Sequence, residues 1–193
     1  MPYSKRVQEA FDYAFDLHRN QERKGNGVPY ITHLMAVAAM VGEYGGDDNQ
    51  VMGALLHDAA EDQGGQAVLD AVRERFGDTV AQYVADMSDS LADTRTEQKA
   101  AWHTRKQQYV AKLSQKPPAL RLIAAADKLH NARCTARDLR QHGKQVWERF
   151  NAGPKDTLWY YHALYDGLAQ GWDHPILDEF ARAIDELEEA NNR

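Results

Sequence analysis

Four ionisable residues directly follow an apolar run in Leu55-Leu56-His57-Asp58-Ala59-Ala60-Glu61-Asp62. On a helix, His57 and Asp58 lie about 100° apart and can converge on one ion. Glu61 and Asp62 each follow a member of that pair by four positions, one turn further along the same surface. An imidazole and a carboxylate suit a divalent metal, and two further carboxylates could handle a water molecule. The alternative is an amphipathic helix with an acidic solvent face, but a His-Asp step after an apolar stripe is unusual composition for such a face.

Helical periodicity dominates the rest of the chain, because apolar residues recur at spacings of three and four. The stripes predict helices around residues 7–18, 34–41, 51–58, 68–76, 80–91, 109–113, 120–131, 158–168 and 176–187. Ser4 is the predicted N-cap of the first helix, and Pro117-Pro118 is predicted to open the seventh. Glycine-rich turns at 25–29, 45–46 and 64–65 separate the early helices. No alternating strand pattern or internal repeat is present, so the sequence predicts one all-α domain over residues 1–193.

The bulk composition is that of a soluble globular protein of 193 residues, with 43% hydrophobic and 27% charged residues. The net charge of -6 argues against broad nucleic-acid or anionic-membrane binding. No apolar run approaches the roughly 18 residues of a transmembrane helix, and the N-terminus does not resemble a signal peptide. Cys134 is the only cysteine, which excludes an intrachain disulfide and fits a reducing compartment. We therefore predict a cytoplasmic protein without nucleic-acid or membrane partners.

Two further residues complete a candidate metal site, since a catalytic metal needs several protein ligands and an open position. Asp127 lies on an otherwise apolar stripe, where a carboxylate is costly unless a cation or hydrogen-bond donors compensate it. His33 begins an apolar helix. For His33 the alternative is a backbone-bonded residue at a helix start. For Asp127 it is an ion pair with Lys128 or Arg133, although side chains of adjacent helical residues point in different directions.

The four positions together resemble the H…HD…D pattern of the HD-domain metal phosphohydrolases. Further stretches are similar to the hydrolase domain of the RelA/SpoT family, which removes the 3′-pyrophosphate of the alarmone (p)ppGpp. These stretches are Arg23-Lys24-Gly25, Pro29-Tyr30-Ile31-Thr32-His33, His57-Asp58-Ala59-Ala60-Glu61-Asp62, Arg75-Phe76-Gly77 and Ala126-Asp127-Lys128-Leu129-His130-Asn131. The resemblance covers about residues 5–140. It implies a single HD-domain helical fold, with residues 141–193 as C-terminal helices packing on it, and a small alarmone hydrolase that releases pyrophosphate from a nucleotide.

The resemblance also implies which residues carry the chemistry. One Mn²⁺ ion would be bound by His33, His57, Asp58 and Asp127. Glu61 and Asp62 match an acidic pair that positions or deprotonates the attacking water. General-base catalysis of this kind typically contributes about 10²- to 10⁴-fold.

Four residues are implicated in binding the nucleoside. Arg23 and Lys24 match residues at the base, where a guanidinium can stack on a purine face. Asn131 matches a residue that hydrogen-bonds the ribose. Tyr30 could line the same pocket or belong to the core.

The diphosphate also requires protein cations, for which Arg105 and Lys106 are the candidates. Their alternative role is as exposed helix charges flanking Tyr109.

Departures from the family pattern concern the nucleotide pocket. The segment from Arg23 to His33 is one residue longer than in many long family members, Gly25 replaces a commonly polar position, and Cys134 stands where a threonine is frequent. Cys134 could equally be an apolar core residue. The adenine alarmone (p)ppApp, the 3′-phosphate of NADPH and the substrates of other HD-domain nucleotide phosphohydrolases are therefore alternatives, and so is a metal-binding regulatory module without turnover. The aromatic run at 159–161 predicts core packing or a homo-oligomer face.

Overall fold

The computed structural model describes residues 3–25, 27–88 and 102–193. They fall into two units, Met1–Ala100 and Ala101–Arg193. The predicted all-α class is confirmed, because within the described ranges the chain forms α-helices, a 3-10 helix and one isolated β-bridge between Glu22 and Pro29, without a strand. The grouping of residues 1–193 into a single domain stays a prediction.

The first unit contains six helices in its described part: α1 (Lys5–Leu17), α2 (Ile31–Glu43), α3 (Asp48–Leu56), α4 (Ala59–Gln63), α5 (Gly65–Phe76) and α6 (Asp78–Met87). Helix α3 packs against α1, α2 and α6, and is buried along its whole length from Val51 onward. Leu34, Met52 and Leu56 are inaccessible to solvent and form the core around it. The end of the predicted helix 80–91 lies beyond residue 88, outside the described residues.

The ends of helices α1 and α3 show how far local signals determine the structure. Ser4 is at the N-cap of α1 as predicted, but its side chain makes no capping hydrogen bond. Asp47 starts α3 through a capping box, in which its carboxylate accepts from the Gln50 amide at 2.9 Å while the Gln50 side chain accepts from the Asp47 amide at 3.1 Å. This reciprocal pair fixes the first turn of the helix that leads to the His-Asp doublet.

The predicted helix that carries the stripe 51–58 and stops near Gly64-Gly65 is interrupted, because α3 ends at Leu56 and α4 begins at Ala59. His57 and Asp58 form a turn between α3 and α4. Both residues keep right-handed dihedrals, with φ values of −57° and −98°. The helical spacing of apolar residues therefore continues through the turn, and the sequence does not indicate the break. The predicted stop at Gly64-Gly65 is confirmed. Gly64 has φ 155° and Gly65 has φ 60°, conformations that favour glycine, and α5 restarts from this point.

The second unit contains α7 (Trp102–Leu113), α8 (Pro118–His142), a 3-10 helix (Gly143–Arg149), α9 (Pro154–Ala169) and α10 (Pro175–Asn192). Prolines occupy the first turns of α8, α9 and α10, as expected for a residue that lacks an N–H group. Helix α10 packs along α8, and α9 packs against α10. In the aromatic run of α9, Tyr160 and Tyr161 are buried whereas Trp159 is 36% exposed. The 3-10 helix was not predicted.

Arg121 connects three parts of the second unit. Its side chain is buried on α8 and donates to backbone carbonyls only, among the contacts recorded for it. The acceptors are Lys116 at 2.8 Å, Leu168 at 3.2 Å, Gln170 at 2.6 Å and Ser114. These carbonyls lie at and just beyond the C-terminal ends of α7 and α9, where helix dipoles favour a cation. Arg121 therefore binds the ends of two helices to the start of α8.

None of the helices that the structure describes is long and apolar enough to cross a membrane.

Candidate metal centre

Three of the predicted metal ligands meet in the first unit. His33 comes from the first turn of α2, whereas His57 and Asp58 come from the turn after α3. His57 Nε2 lies 3.0 Å and His33 Nε2 lies 3.8 Å from Asp58 Oδ2. One candidate ligand atom from each residue lies within 4.8 Å of the other two. Two imidazoles and a carboxylate at this separation form a donor set for a divalent cation.

Hydrogen bonds orient this donor set. His57 Nδ1 lies 2.7 Å from the carbonyl of Ala54, so Nδ1 is the donor and a neutral ring presents the lone pair of Nε2 to the cluster. The Tyr30 hydroxyl donates to Asp58 Oδ2 at 2.5 Å. Both histidines are 1% exposed, and their rings meet edge to face at 5.3 Å. The residues present therefore fit a metal in chemistry, geometry and orientation.

Tyr30 therefore has a more specific role than either pocket lining or core packing. Its ring stacks on His18 at a centroid distance of 5.3 Å and meets the edge of His33 at 5.5 Å. Together with the hydroxyl bond to Asp58, these contacts place Tyr30 beside the candidate ligands. Contact of the ring with a nucleotide stays a prediction.

A short loop carries the predicted base-binding residues. Its base is closed by the hydrogen bond from the Tyr30 amide to the Gln21 carbonyl at 2.8 Å, and a second bond joins the Arg23 amide to the Val28 carbonyl at 2.8 Å. Arg23 is half-buried and Lys24 is exposed. The loop thus holds Arg23 and Lys24 in the same unit as the His-Asp cluster.

The acidic pair lies in the first turn of α4, directly after the cluster. The Asp62 amide donates to the Asp58 carbonyl at 2.9 Å, so the predicted spacing of one helical turn is observed. Glu61 is half-buried and Asp62 is exposed. Gln21 Nε2 donates to Asp62 Oδ2 at 2.8 Å across the sequence gap between the loop and α4.

His18 and Gln21 were not predicted as site residues. His18 is 1% exposed, and its Nδ1 lies 2.6 Å from Gln21 Oε1. Burial lowers the pKa of His18 below its usual value, although the Gln21 hydrogen bond and the Asp58 charge act in the opposite direction. The ring is therefore neutral near neutral pH and donates through Nδ1. A histidine at the end of an apolar helical stripe, followed three residues later by a glutamine, was the available sequence signal.

The remaining predicted ligand, Asp127, lies in the second unit on α8 and is 3% exposed. Lys128 Nζ lies 2.6 Å from Asp127 Oδ2, and Asn131 Nδ2 donates to Asp127 Oδ1 at 2.7 Å. Burial disfavours the Lys128 ammonium, but Asp127 and the nearby Tyr160 and Tyr109 together hold the pKa of Lys128 well above its usual range. The Lys128 ion pair that the helix geometry disfavoured is thus present. Because Lys128 compensates the charge of the buried Asp127 carboxylate, burial by itself no longer indicates a metal there. The role of Asp127 as a metal ligand stays a prediction.

The predicted phosphate-binding residues lie on α7 in the second unit. Arg105 and Lys106 are half-buried, and Lys106 Nζ lies 5.0 Å from the ring centroid of Tyr160. Both side chains are thus partly exposed, and their role in binding the diphosphate stays a prediction. Cys134 is half-buried and its sulfur lies 3.6 Å from His130 Nε2, so it is not a purely apolar core residue.

Comparisons with known proteins show the family of the chain. Residues 10–158 match the family described as HD domain. Guanosine-3′,5′-bis(diphosphate) 3′-pyrophosphohydrolase MESH1 of Mus musculus is 35% identical over 146 residues, which are 72% of this chain and 76% of that protein. A GTP pyrophosphokinase of Streptomyces antibioticus is 34% identical over 180 residues, which are 93% of this chain.

The chain spans 20% of the length of that Streptomyces protein, so the similarity is to one part of a much longer chain. Among solved structures, a metazoan ortholog of SpoT that hydrolyses ppGpp superposes with a TM-score of 0.73 at 25% identity. The match covers 98% of this chain and 97% of that chain.

Proposed function

Because the chain belongs to the HD domain family, we propose that it is a metal-dependent hydrolase that removes the 3′-pyrophosphate of (p)ppGpp. The products are GDP or GTP and pyrophosphate. The main support is the convergence of His33, His57 and Asp58 within 4.8 Å, with an acidic pair on the next helical turn. A relative that shares most of its length with this chain is named as a 3′-pyrophosphohydrolase of the same nucleotide.

His33, His57 and Asp58 bind one cation in this proposal, and Asp127 is the fourth ligand. When bound, a divalent cation would neutralise charge on the diphosphate and acidify a water molecule. Mn²⁺ is the proposed ion because the resemblance to the RelA/SpoT hydrolase domain implies it, and the imidazoles and carboxylate of the cluster form a donor set for a divalent cation. The bond from His57 Nδ1 to Ala54 keeps the other ring nitrogen available as a ligand at neutral pH.

Glu61 and Asp62 position or deprotonate the attacking water. The water oxygen forms a bond to the phosphorus attached to the ribose 3′-oxygen, and the bond between that phosphorus and the 3′-oxygen breaks. One carboxylate accepts the proton that the water loses, and a proton returned to the 3′-oxygen completes the nucleoside product. The exposure of Asp62 and its bond to the neutral amide of Gln21 suit a carboxylate that accepts a proton.

The substrate-binding assignments are extensions of the same proposal. Arg23 and Lys24 contact the base, and their place on a loop bonded to Tyr30 supports this. Asn131 binds the ribose, while Arg105 and Lys106 neutralise the diphosphate.

A cytoplasmic location is part of the proposal and is supported by the single, unpaired cysteine. A homo-oligomer remains a prediction, and sedimentation velocity measures it directly.

Product analysis tests the function. Protein loaded with Mn²⁺ is incubated with ppGpp, ppApp and NADPH, and pyrophosphate and phosphate are measured. Asp58→Ala removes a ligand carboxylate, so we expect no turnover. Asp16→Ala is the matched control, because Asp16 is an exposed carboxylate on α1 paired with Arg19 at 3.2 Å.

Each outcome distinguishes one interpretation. Release of pyrophosphate from ppGpp by wild type and Asp16→Ala, but not by Asp58→Ala, supports the proposal. Cleavage of ppApp alone would move the specificity to adenine, and phosphate from NADPH alone would leave only the phosphohydrolase mechanism. Metal binding without turnover of any of the three would favour another HD-domain substrate or a regulatory module.

A further inference from the structure

Gln21 joins the loop that carries the predicted base-binding residues to the helix that carries the acidic pair. Its side chain is half-buried, and its Nε2 donates to Asp62 Oδ2 at 2.8 Å. The two residues lie 41 positions apart in the chain. The contact is therefore tertiary. It involves a carboxylate that is proposed to accept the proton from the attacking water.

The three neighbours of the Gln21 amide agree on its direction. Its Oε1 accepts from His18 Nδ1 at 2.6 Å and from Gln63 Nε2. Rotating the amide by 180° would set its oxygen against the Asp62 carboxylate, which can only accept, and would also require the other His18 tautomer and a rotated Gln63 amide. Only one orientation satisfies all three partners, and that orientation directs an N–H group at Asp62.

The loop does not depend on this side chain for its shape. The main chain of Gln21 already anchors it, since the Gln21 amide donates to the His18 carbonyl at 3.0 Å and the Gln21 carbonyl accepts from the Tyr30 amide at 2.8 Å. The side chain is thus available for a different task. Asp62 is an exposed carboxylate in a five-residue helix, where a fixed donor restricts its rotamers.

We propose that Gln21 is a positioning residue that holds the Asp62 carboxylate in the orientation needed to accept the proton from the attacking water, through an amide oriented by His18 and Gln63. This inference rests on the proposed hydrolase function and assigns to it a residue outside the metal ligands and the acidic pair. Gln21 does not touch the reacting atoms and acts through Asp62 alone.

The test substitutes Gln21→Met, which keeps the length of the side chain and removes its hydrogen bonds. We expect kcat for ppGpp to fall about 10- to 100-fold, as for a misplaced catalytic group. KM and the Mn²⁺ affinity should remain within about twofold of wild type, because neither the ligands nor the loop main chain is altered. Gln66→Met is the matched control, since Gln66 Nε2 also donates to an aspartate, the exposed Asp70, at 2.8 Å, and this variant should keep the wild-type kcat.

A double-variant cycle separates positioning from a general structural effect. With Asp62→Asn in place, adding Gln21→Met should cause little further loss of kcat, because its only proposed route is removed. Losses that multiply in the double variant would overturn the proposal, and so would a Gln21→Met kcat equal to that of Gln66→Met. Thermal unfolding of each variant by circular dichroism checks that the fold is retained.

A crystal structure of Gln21→Met keeps this inference distinguishable from the proposed function. If wild-type protein hydrolyses none of the nucleotides, the proposed function fails, and with it the catalytic part of the inference. The structural part is then decided by the Asp62 side chain. Loss of its single orientation in Gln21→Met supports the positioning role, and an unchanged orientation refutes it.

Discussion

Tyr30→Phe should weaken metal binding without disturbing the packing around the cluster. Phenylalanine keeps the ring that stacks on His18 at 5.3 Å and meets His33 at 5.5 Å. The substitution removes only the hydroxyl that donates to Asp58 Oδ2 at 2.5 Å. That oxygen is also the one nearest to both imidazoles, so the hydroxyl orients the atom that is best placed to bind an ion.

The magnitude follows from the contact. A hydrogen bond to a charged group contributes about 1.5–3 kcal/mol, and about 1.4 kcal/mol corresponds to a tenfold change in affinity. Because Tyr30 and Asp58 are only partly buried, water can replace part of the lost bond, and the low end of the range applies. We therefore expect the Kd for Mn²⁺ to rise about 10-fold, at the lower edge of effects known for residues that orient metal ligands.

Isothermal titration calorimetry of the metal-free protein with Mn²⁺ measures this change. Tyr3→Phe is the control, because the Tyr3 hydroxyl donates to the Gly46 carbonyl at 3.2 Å in the same unit but contacts no candidate ligand in the recorded bonds. Tyr3→Phe should keep the wild-type Kd. If Tyr30→Phe binds Mn²⁺ as tightly as Tyr3→Phe, the hydroxyl does not orient the ligand and the reasoning is wrong.

Three further predictions concern stability, all measured by urea unfolding of metal-free protein. Arg121→Met should lower the free energy of unfolding by about 3 kcal/mol, because four carbonyls lose a charged donor and water reaches only some of them. Arg140→Met breaks one exposed ion pair on the same helix and should lower it by less than about 1 kcal/mol. Equal losses in the two variants would contradict this prediction. Lys128→Met should cost about 2–4 kcal/mol since Asp127 stays buried without its cation, and a neutral result would contradict the importance of that pair. The pKa of His18 is lowered in the folded protein, so the unfolded chain, in which its pKa is near 6.5, binds the proton more readily. The free energy of unfolding should therefore fall as the pH decreases through 6.5 towards the folded pKa. His18→Asn should show a weaker dependence of stability on pH, and an unchanged dependence would refute the lowered pKa of His18.

The sequence was sufficient to locate most of the α-helices, because a helix that buries one face has apolar residues at spacings of three and four. The stripes at 120–131 and 176–187 lie within α8 and α10, and the glycine pair at 64–65 separates α4 from α5. The break at His57-Asp58 was missed because a turn with right-handed dihedrals continues the same spacing. The start of α8 was predicted from Pro117-Pro118, but its C-terminal end at His142 could not be predicted from periodicity, since the helix is buried on several faces.

The site was partly predictable for a related reason. His33, His57 and Asp58 are metal-ligating residue types that predicted a site only when taken together, and the structure brings all three together. The tertiary hydrogen bonds of Gln21 to Asp62 and of Tyr30 to Asp58 could not be predicted, because helical periodicity does not identify partners that are distant in the chain. The Lys128 pair was judged by the direction of its Cα–Cβ bond, but a four-carbon side chain is long enough to turn back to its neighbour.

The hydrogen bonds that close the 21–30 loop give the chain a replaceable module. The Tyr30 amide bonds to the Gln21 carbonyl, and the Arg23 amide bonds to the Val28 carbonyl. The four residues between Arg23 and Val28 can therefore change in number and in side chain without loosening the base of the loop. The ligand cluster is attached below this closure, through Tyr30 and His33. Under the proposed function, exchanging residues 24–27 should therefore change the nucleoside preference and leave the His-Asp cluster and the acidic pair intact. Related proteins with this fold should differ more in the ligand that they prefer than in the reaction that they catalyse.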